Sequence, residues 1–176
     1  MTLRLIFLCL ICGACNPKII QYSNEKAHYK DFKTFYLVNS KEDHLNSAQS
    51  EEVNSRLEPY LMEEMIRRDY RTDANNPDLI LRYEIISSTE VTRNNNQQLY
   101  YYNPYPINRY NIRAVILLEL IDAQTKKLVW QASEDIESSL RRRKEKDPLK
   151  GISIDLFNTY LYRAGDAEQD ESLKIK

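Results

Sequence analysis

Between residues 112 and 121 the chain reads Ile-Arg-Ala-Val-Ile-Leu-Leu-Glu-Leu-Ile. Ile112, Ala114, Ile116, Leu118 and Leu120 fall on every second position, whereas Arg113 and Glu119 fall in the other set. Successive side chains of a strand point to opposite sides, so this period predicts a strand buried on one face. It ends in Asp122-Ala123-Gln124-Thr125-Lys126, which is turn chemistry, and Leu128, Trp130 and Ala132 then resume the same period. The two segments predict a hairpin, with Trp130 as an inward core anchor.

The same reading extends outward from that hairpin. Residues 78–88 alternate Leu79, Leu81, Tyr83 and Ile85 against Arg82 and Glu84, and residues 32–38 are dense in aromatic and β-branched side chains. Between them, Val53, Leu57, Leu61 and Met65 recur every four residues, which predicts a helix over 47–68, with a kink near Ser55 or two abutting segments because Pro59 interrupts it. A last helix starts at the N-cap Asp147 with Pro148 in its first position, carries Leu149, Ile152, Leu156, Phe157, Tyr160 and Leu161 on one face, and stops at Gly165. The order strand, helix, strand, strand, strand, helix predicts an α+β two-layer sandwich. Its sheet is expected to be four-stranded and mostly antiparallel, with both helices on one face.

A chain of 176 residues, 42% hydrophobic and 29% charged, suits a single domain. The net charge of −1 gives no field to recruit nucleic acid, and three glycines leave no glycine-rich loop for a nucleotide phosphate. All three cysteines, Cys9, Cys12 and Cys15, lie in the first fifteen residues. Arg4, the apolar run 5–11 and the small pair Gly13-Ala14 before Cys15 have the layout of a signal peptide, and the run is too short for a span of about 20 residues.

Cys12-Gly13-Ala14-Cys15 resembles the lipobox of bacterial lipoproteins, although Cys12 stands where leucine is usual. The resemblance implies cleavage after residue 14 and diacylglyceryl modification of Cys15, an anchor of several acyl chains at about 0.8 kcal/mol per buried CH₂. Asn16 is not the aspartate that resembles an inner-membrane retention signal, and residues 16–20 contain no acidic residue resembling a surface-export signal, so the periplasmic leaflet of the outer membrane is the expected location. The expected organisation is a signal peptide at 1–14, an acylated cysteine with a flexible tether at 15–29, a domain at 30–165 and a frayed tail at 166–176. A tether of about fourteen residues would span on the order of 20 Å, holding the domain off the membrane.

Three stretches are similar to the bacterial lipoprotein domain-of-unknown-function family 4136. They are Asp31-Phe32-Lys33-Thr34-Phe35, Tyr70 followed by Asn76-Pro77-Asp78-Leu79-Ile80-Leu81, and the run from Leu118 through Asp122-Ala123-Gln124-Thr125-Lys126 to Trp130-Gln131-Ala132. The chain departs from the family where Asp69 replaces the usual glycine before the aromatic that ends the first helix, and in its helix proline. The resemblance implies an exported, lipid-anchored domain and carries no catalytic residue or ligand.

Chemistry-bearing groups are few. The two histidines, His28 and His44, lie in the tether and in a polar loop, without metal-ligand spacing. Glu84 and Glu119 have the residue type for paired-carboxylate hydrolysis, but Arg82 and Arg113 alternate with them, as cross-strand ion pairs do. Residues 93–111 combine Asn94, Asn95, Asn96, Gln97 and Gln98 with Tyr100, Tyr101, Tyr102, Tyr105 and Tyr110. That composition suits a recognition loop for protein or glycan, and equally an elongated hairpin whose tyrosines cover the outer face of the sheet. Arg141, Arg142, Arg143 and Lys144 could contact an anionic surface or form a solvated strand end. The sequence therefore predicts a non-enzymatic envelope lipoprotein, with a glycan or small-ligand binder second and a hydrolase third. It assigns no cofactor and no metal, and its expected partners are the membrane and an envelope protein or glycan.

Overall fold

The computed structural model of the chain describes residues 19–40, 47–93, 108–137, 139 and 147–175; for 47–50, 87–93 and 108–113 it describes the backbone alone. The alternating segments form its centre: β4 (Leu79–Arg93) and β5 (Asn108–Asp122) pair antiparallel along all fifteen residues, from Leu79↔Asp122 to Arg93↔Asn108. β6 (Leu128–Asp135) pairs antiparallel with β5, with a register shift at Leu120/Ile121. The tight connection works because the Asp122 carboxylate accepts from the backbone N–H groups of Gln124 and Thr125, while Lys126 takes a left-handed φ of 58°.

The sheet has six strands, in the order β1-β6-β5-β4-β2-β3, adding β1 (Ile20–Ser23), β2 (Thr34–Asn39) and β3 (Arg71–Thr72). This corrects the expected four-stranded, mostly antiparallel sheet: β2 runs parallel to both β4 and β3, so the sheet is mixed. The reason is connectivity. Helix α1 (Ser47–Arg67) lies between β2 and β4, and a strand-helix-strand crossover brings the chain back in its original direction. β1 falls inside the stretch expected to be tether, where Ile20, Gln21, Tyr22 and Ser23 pair with Ser133, Ala132, Gln131 and Trp130.

α1 runs through Pro59 as one helix rather than as two segments. Beyond it, α2 (Pro148–Phe157) begins as the sequence predicts, with the Asp147 carboxylate accepting from the backbone N–H of Leu149. Both helices cover one face of the sheet. Leu57, Leu61 and Met65 of α1 and Ile152, Leu156 and Phe157 of α2 are buried with Leu81, Tyr83, Leu118, Leu120 and Trp130. Residues after 166, expected to be frayed, include a 3₁₀ turn at Glu171–Leu173 whose Leu173 is buried. The opposite face of the sheet carries the exposed Tyr36, Arg82 and Ile86.

Candidate functional site

Catalysis needs a side chain with bonding capacity to spare. Arg68, fully buried, donates from Nε to the Tyr160 carbonyl, from Nη2 to the Phe157 carbonyl, and from Nη1 to the backbone and side chain of Glu64. Burial lowers the Arg68 guanidinium to about 10 against the opposing pull of Glu64, so it stays charged at neutral pH. Its work is structural: it ties the end of α1 to the end of α2. The sequence carried a signal for this, since Arg68 continues the stripe Leu57, Leu61, Met65 by one more turn.

Next to it is a tyrosine cluster. The Tyr70 and Tyr160 hydroxyls lie 2.7 Å apart, and Tyr29 stacks on Tyr162 with ring centroids at 3.5 Å. Burial pushes the Tyr70 hydroxyl up to about 12 and those of Tyr29 and Tyr160 upward as well. Phenols so disposed remain protonated and supply neither base nor nucleophile at neutral pH.

A surface depression of about 200 Å³ is lined by His28, Asp31, Asp78, Asp122 and Thr125 among others. Its acidity is largely committed to the fold. Asp78 Oδ2 accepts from the backbone N–H of Lys33 and from the N–H and hydroxyl of Thr34, fastening the start of β4 to β2, and Asp122 closes the β5–β6 turn. Among the described residues no group of three or more His, Cys, Asp or Glu side chains is placed to hold a metal ion.

The carboxylates considered for hydrolysis separate in the same way. Arg82 pairs with Glu119 across β4 and β5, directly opposite in register, with Nε at 2.6 Å from Oε2. Glu84 stands opposite Leu117 instead. Trp130 is inward as expected, fully buried against Phe157 and Tyr160, with Nε1 donating to Thr159 Oγ1.

The tyrosine-rich connector is shorter than expected, since Arg93 and 108–111 belong to the strands. Tyr110 sits in β5 opposite Val91. Tyr100, Tyr101, Tyr102 and Tyr105 lie outside the described residues, as do Arg141, Arg142, Arg143, Lys144 and Cys15. What the structure does establish is the base of that connector: a fifteen-pair hairpin holds its two ends in adjacent, opposed positions.

A second surface lies at the β1 edge. Ile20 and Tyr22 are 71% and 49% exposed, while Ile19 borders a shallow depression shared with Asn158, Lys174 and Ile175. The side chain of Asn158 exchanges two hydrogen bonds with the backbone of Ile175, which fixes the C-terminal segment at the end of α2. No helix among the described residues is long and apolar enough to cross a membrane.

The family model described as domain of unknown function DUF4136 matches residues 20–150. No curated protein sequence matches this one. Solved structures with some similarity include a PDZ domain protein from Parabacteroides distasonis, 14% identical, covering 77% of this chain and 32% of that one, with a TM-score of 0.40. This chain thus spans about a third of that protein's chain. A PelC dodecamer from Paraburkholderia phytofirmans is 15% identical over 83% of this chain and 97% of that one, at 0.40. A minor lipoprotein from Acinetobacter baumannii is 9% identical over 73% and 92%, at 0.37. At such scores none of the three defines the role of this chain.

Proposed function

This chain belongs to the DUF4136 family of domains of unknown function, and we propose that it is an envelope lipoprotein. It is held at the periplasmic leaflet of the outer membrane by an acylated Cys15, and its folded part is a binding module rather than an enzyme. The observation that carries the anchor is Cys12-Gly13-Ala14-Cys15, placed directly before a cysteine-free domain whose first strand begins at Ile20. The module reading is supported by how the described polar groups are used. Arg68, Asp78, Asp122 and Glu119 each hold two parts of the fold together, and the long hairpin β4–β5 presents a connector rich in Asn and Tyr, side chains suited to recognition.

The test has two arms in intact cells. Cys15→Ala should abolish acylation and leave precursor retaining residues 1–14; a processed, acylated product in the membrane fraction would overturn the anchor. In the second arm, proteins crosslinked to the native chain are compared with those crosslinked to a chain whose 94–107 connector is replaced by a short turn. Loss of partners supports recognition through the connector, and an unchanged set refutes it.

A further inference from the structure

We propose that the β1 edge of the sandwich, with Ile20 and Tyr22 on one side of it and Ile175 on the other, is the part of the domain that lies against the phospholipid surface. The proposal rests on the acylated Cys15 proposed above and adds the orientation of the domain. Only Asn16, Pro17 and Lys18 separate Cys15 from Ile19, and β1 starts one residue later. Four residue steps reach at most about 14 Å. The acyl-bearing cysteine sits at the inner margin of a headgroup layer about 5–7 Å deep, so under about 10 Å of linker emerges from the bilayer. A domain of this size has a radius of gyration of roughly 15 Å. The linker is therefore shorter than the domain is wide, and the domain rests on the membrane by the side on which β1 begins.

That side has the matching chemistry. Six large hydrophobic side chains are exposed among the described residues; two of them, Ile20 and Tyr22, project from this edge on the face turned away from the helices, and a third, Ile175, lies on the other side of it beside Ile19. β1 is the terminal strand of the sheet, and an exposed apolar edge strand is a surface that folded proteins normally cover. Tyrosine, with an apolar ring and a polar hydroxyl, suits the boundary between headgroups and acyl chains. β1 is also rigidly held: beyond its end, Asn24 donates from its backbone N–H to the Val129 carbonyl and from Nδ2 to the Leu128 carbonyl. The short linker therefore fixes orientation as well as distance.

The experiment uses the mature chain, residues 15–176, whose sole thiol is Cys15. Labelled with ¹⁵N, it is coupled through that thiol to a dialkyl maleimide without a headgroup, which keeps the thiol at the boundary of acyl chains and headgroups, in nanodiscs of phosphatidylethanolamine and phosphatidylglycerol that carry a headgroup nitroxide. The amide signals of Ile20, Tyr22 and Ile175 should be attenuated several-fold more than those of Arg71 and Thr72 in β3, which lies five strand spacings, roughly 24 Å, across the sheet. Attenuation should fall steadily from β1 to β3. Uniform attenuation, or attenuation strongest at Tyr36 and Ile86, would overturn the proposal. So would β1 amides shielded from the nitroxide by a second copy of the chain. Because the lipid is attached chemically, this result is independent of whether the cell acylates Cys15, which the mass of the native product decides.

Discussion

Trp130 shows how much a single position can be read in advance and what it contributes. Its place in the alternation puts it inward, and in the fold it is fully buried between Phe157 and Tyr160. Trp130→Ala should cost roughly 3–5 kcal/mol in denaturant melts of the mature chain, the usual penalty for emptying a large aromatic site; a loss below about 1 kcal/mol would mean the cavity collapses freely or the residue is not buried. Arg68 is the complementary case, a charge legible only as one more position on a helical stripe. Arg68→Ala strands the Tyr160 and Phe157 carbonyls at the end of α2, while Arg67 remains on the Glu64 carboxylate. The expected cost is about 3 kcal/mol, the lower end for breaking a buried pair from one side, and a melt unchanged from the parent would show that water replaces the guanidinium. Asp69 settles the question raised by the missing glycine. It adopts the left-handed φ of 66° itself and pairs with Arg163 at 2.8 Å, so the helix still ends where a glycine would end it.

At the scale of elements, hairpin β4–β5 and the C-terminal segment each carry a prediction. Arg93 and Asn108 face one another in register, so a two-residue Asn-Gly turn can join them directly in place of 94–107. The shortened chain should melt within a few degrees of the parent, since loop length itself costs little entropy; a large drop would mean that the connector packs on the sheet, the alternative its tyrosines also allow. The C-terminal turn should respond to pH. Hydrogen bonds from Ser172, then from Arg163, hold the Asp170 carboxyl down at about 2, against about 3.9 in an unfolded chain. A depressed carboxyl stabilises docking above the unfolded value and loses that contribution as the pH falls through the folded one, so the segment should loosen between about pH 4 and pH 2. A carboxyl shift titration of Asp170 checks this, and a midpoint at the ordinary aspartate value would refute the docked geometry.

Across the whole molecule, the features readable from the chain alone are those that depend on neighbours a few residues apart. Alternation selected the buried sides of β4, β5 and β6, the four-residue stripe placed α1 on that core, Asp147-Pro148 started α2, and Asp122 to Lys126 closed a hairpin. The lipobox-like cysteine is local in the same sense. The strand order, the parallel setting of β2, and the recruitment of Ile20–Ser23 as an edge strand arise from contacts between distant segments. A short strand such as β1 has no stability or pattern of its own. Its pairing is supplied by β6, and the side-chain bond that secures it, from Asn24 to Leu128, spans 104 residues. Likewise Arg68 becomes a buried clamp only when α2 brings two carbonyls to its guanidinium, and no periodicity in either segment announces the other.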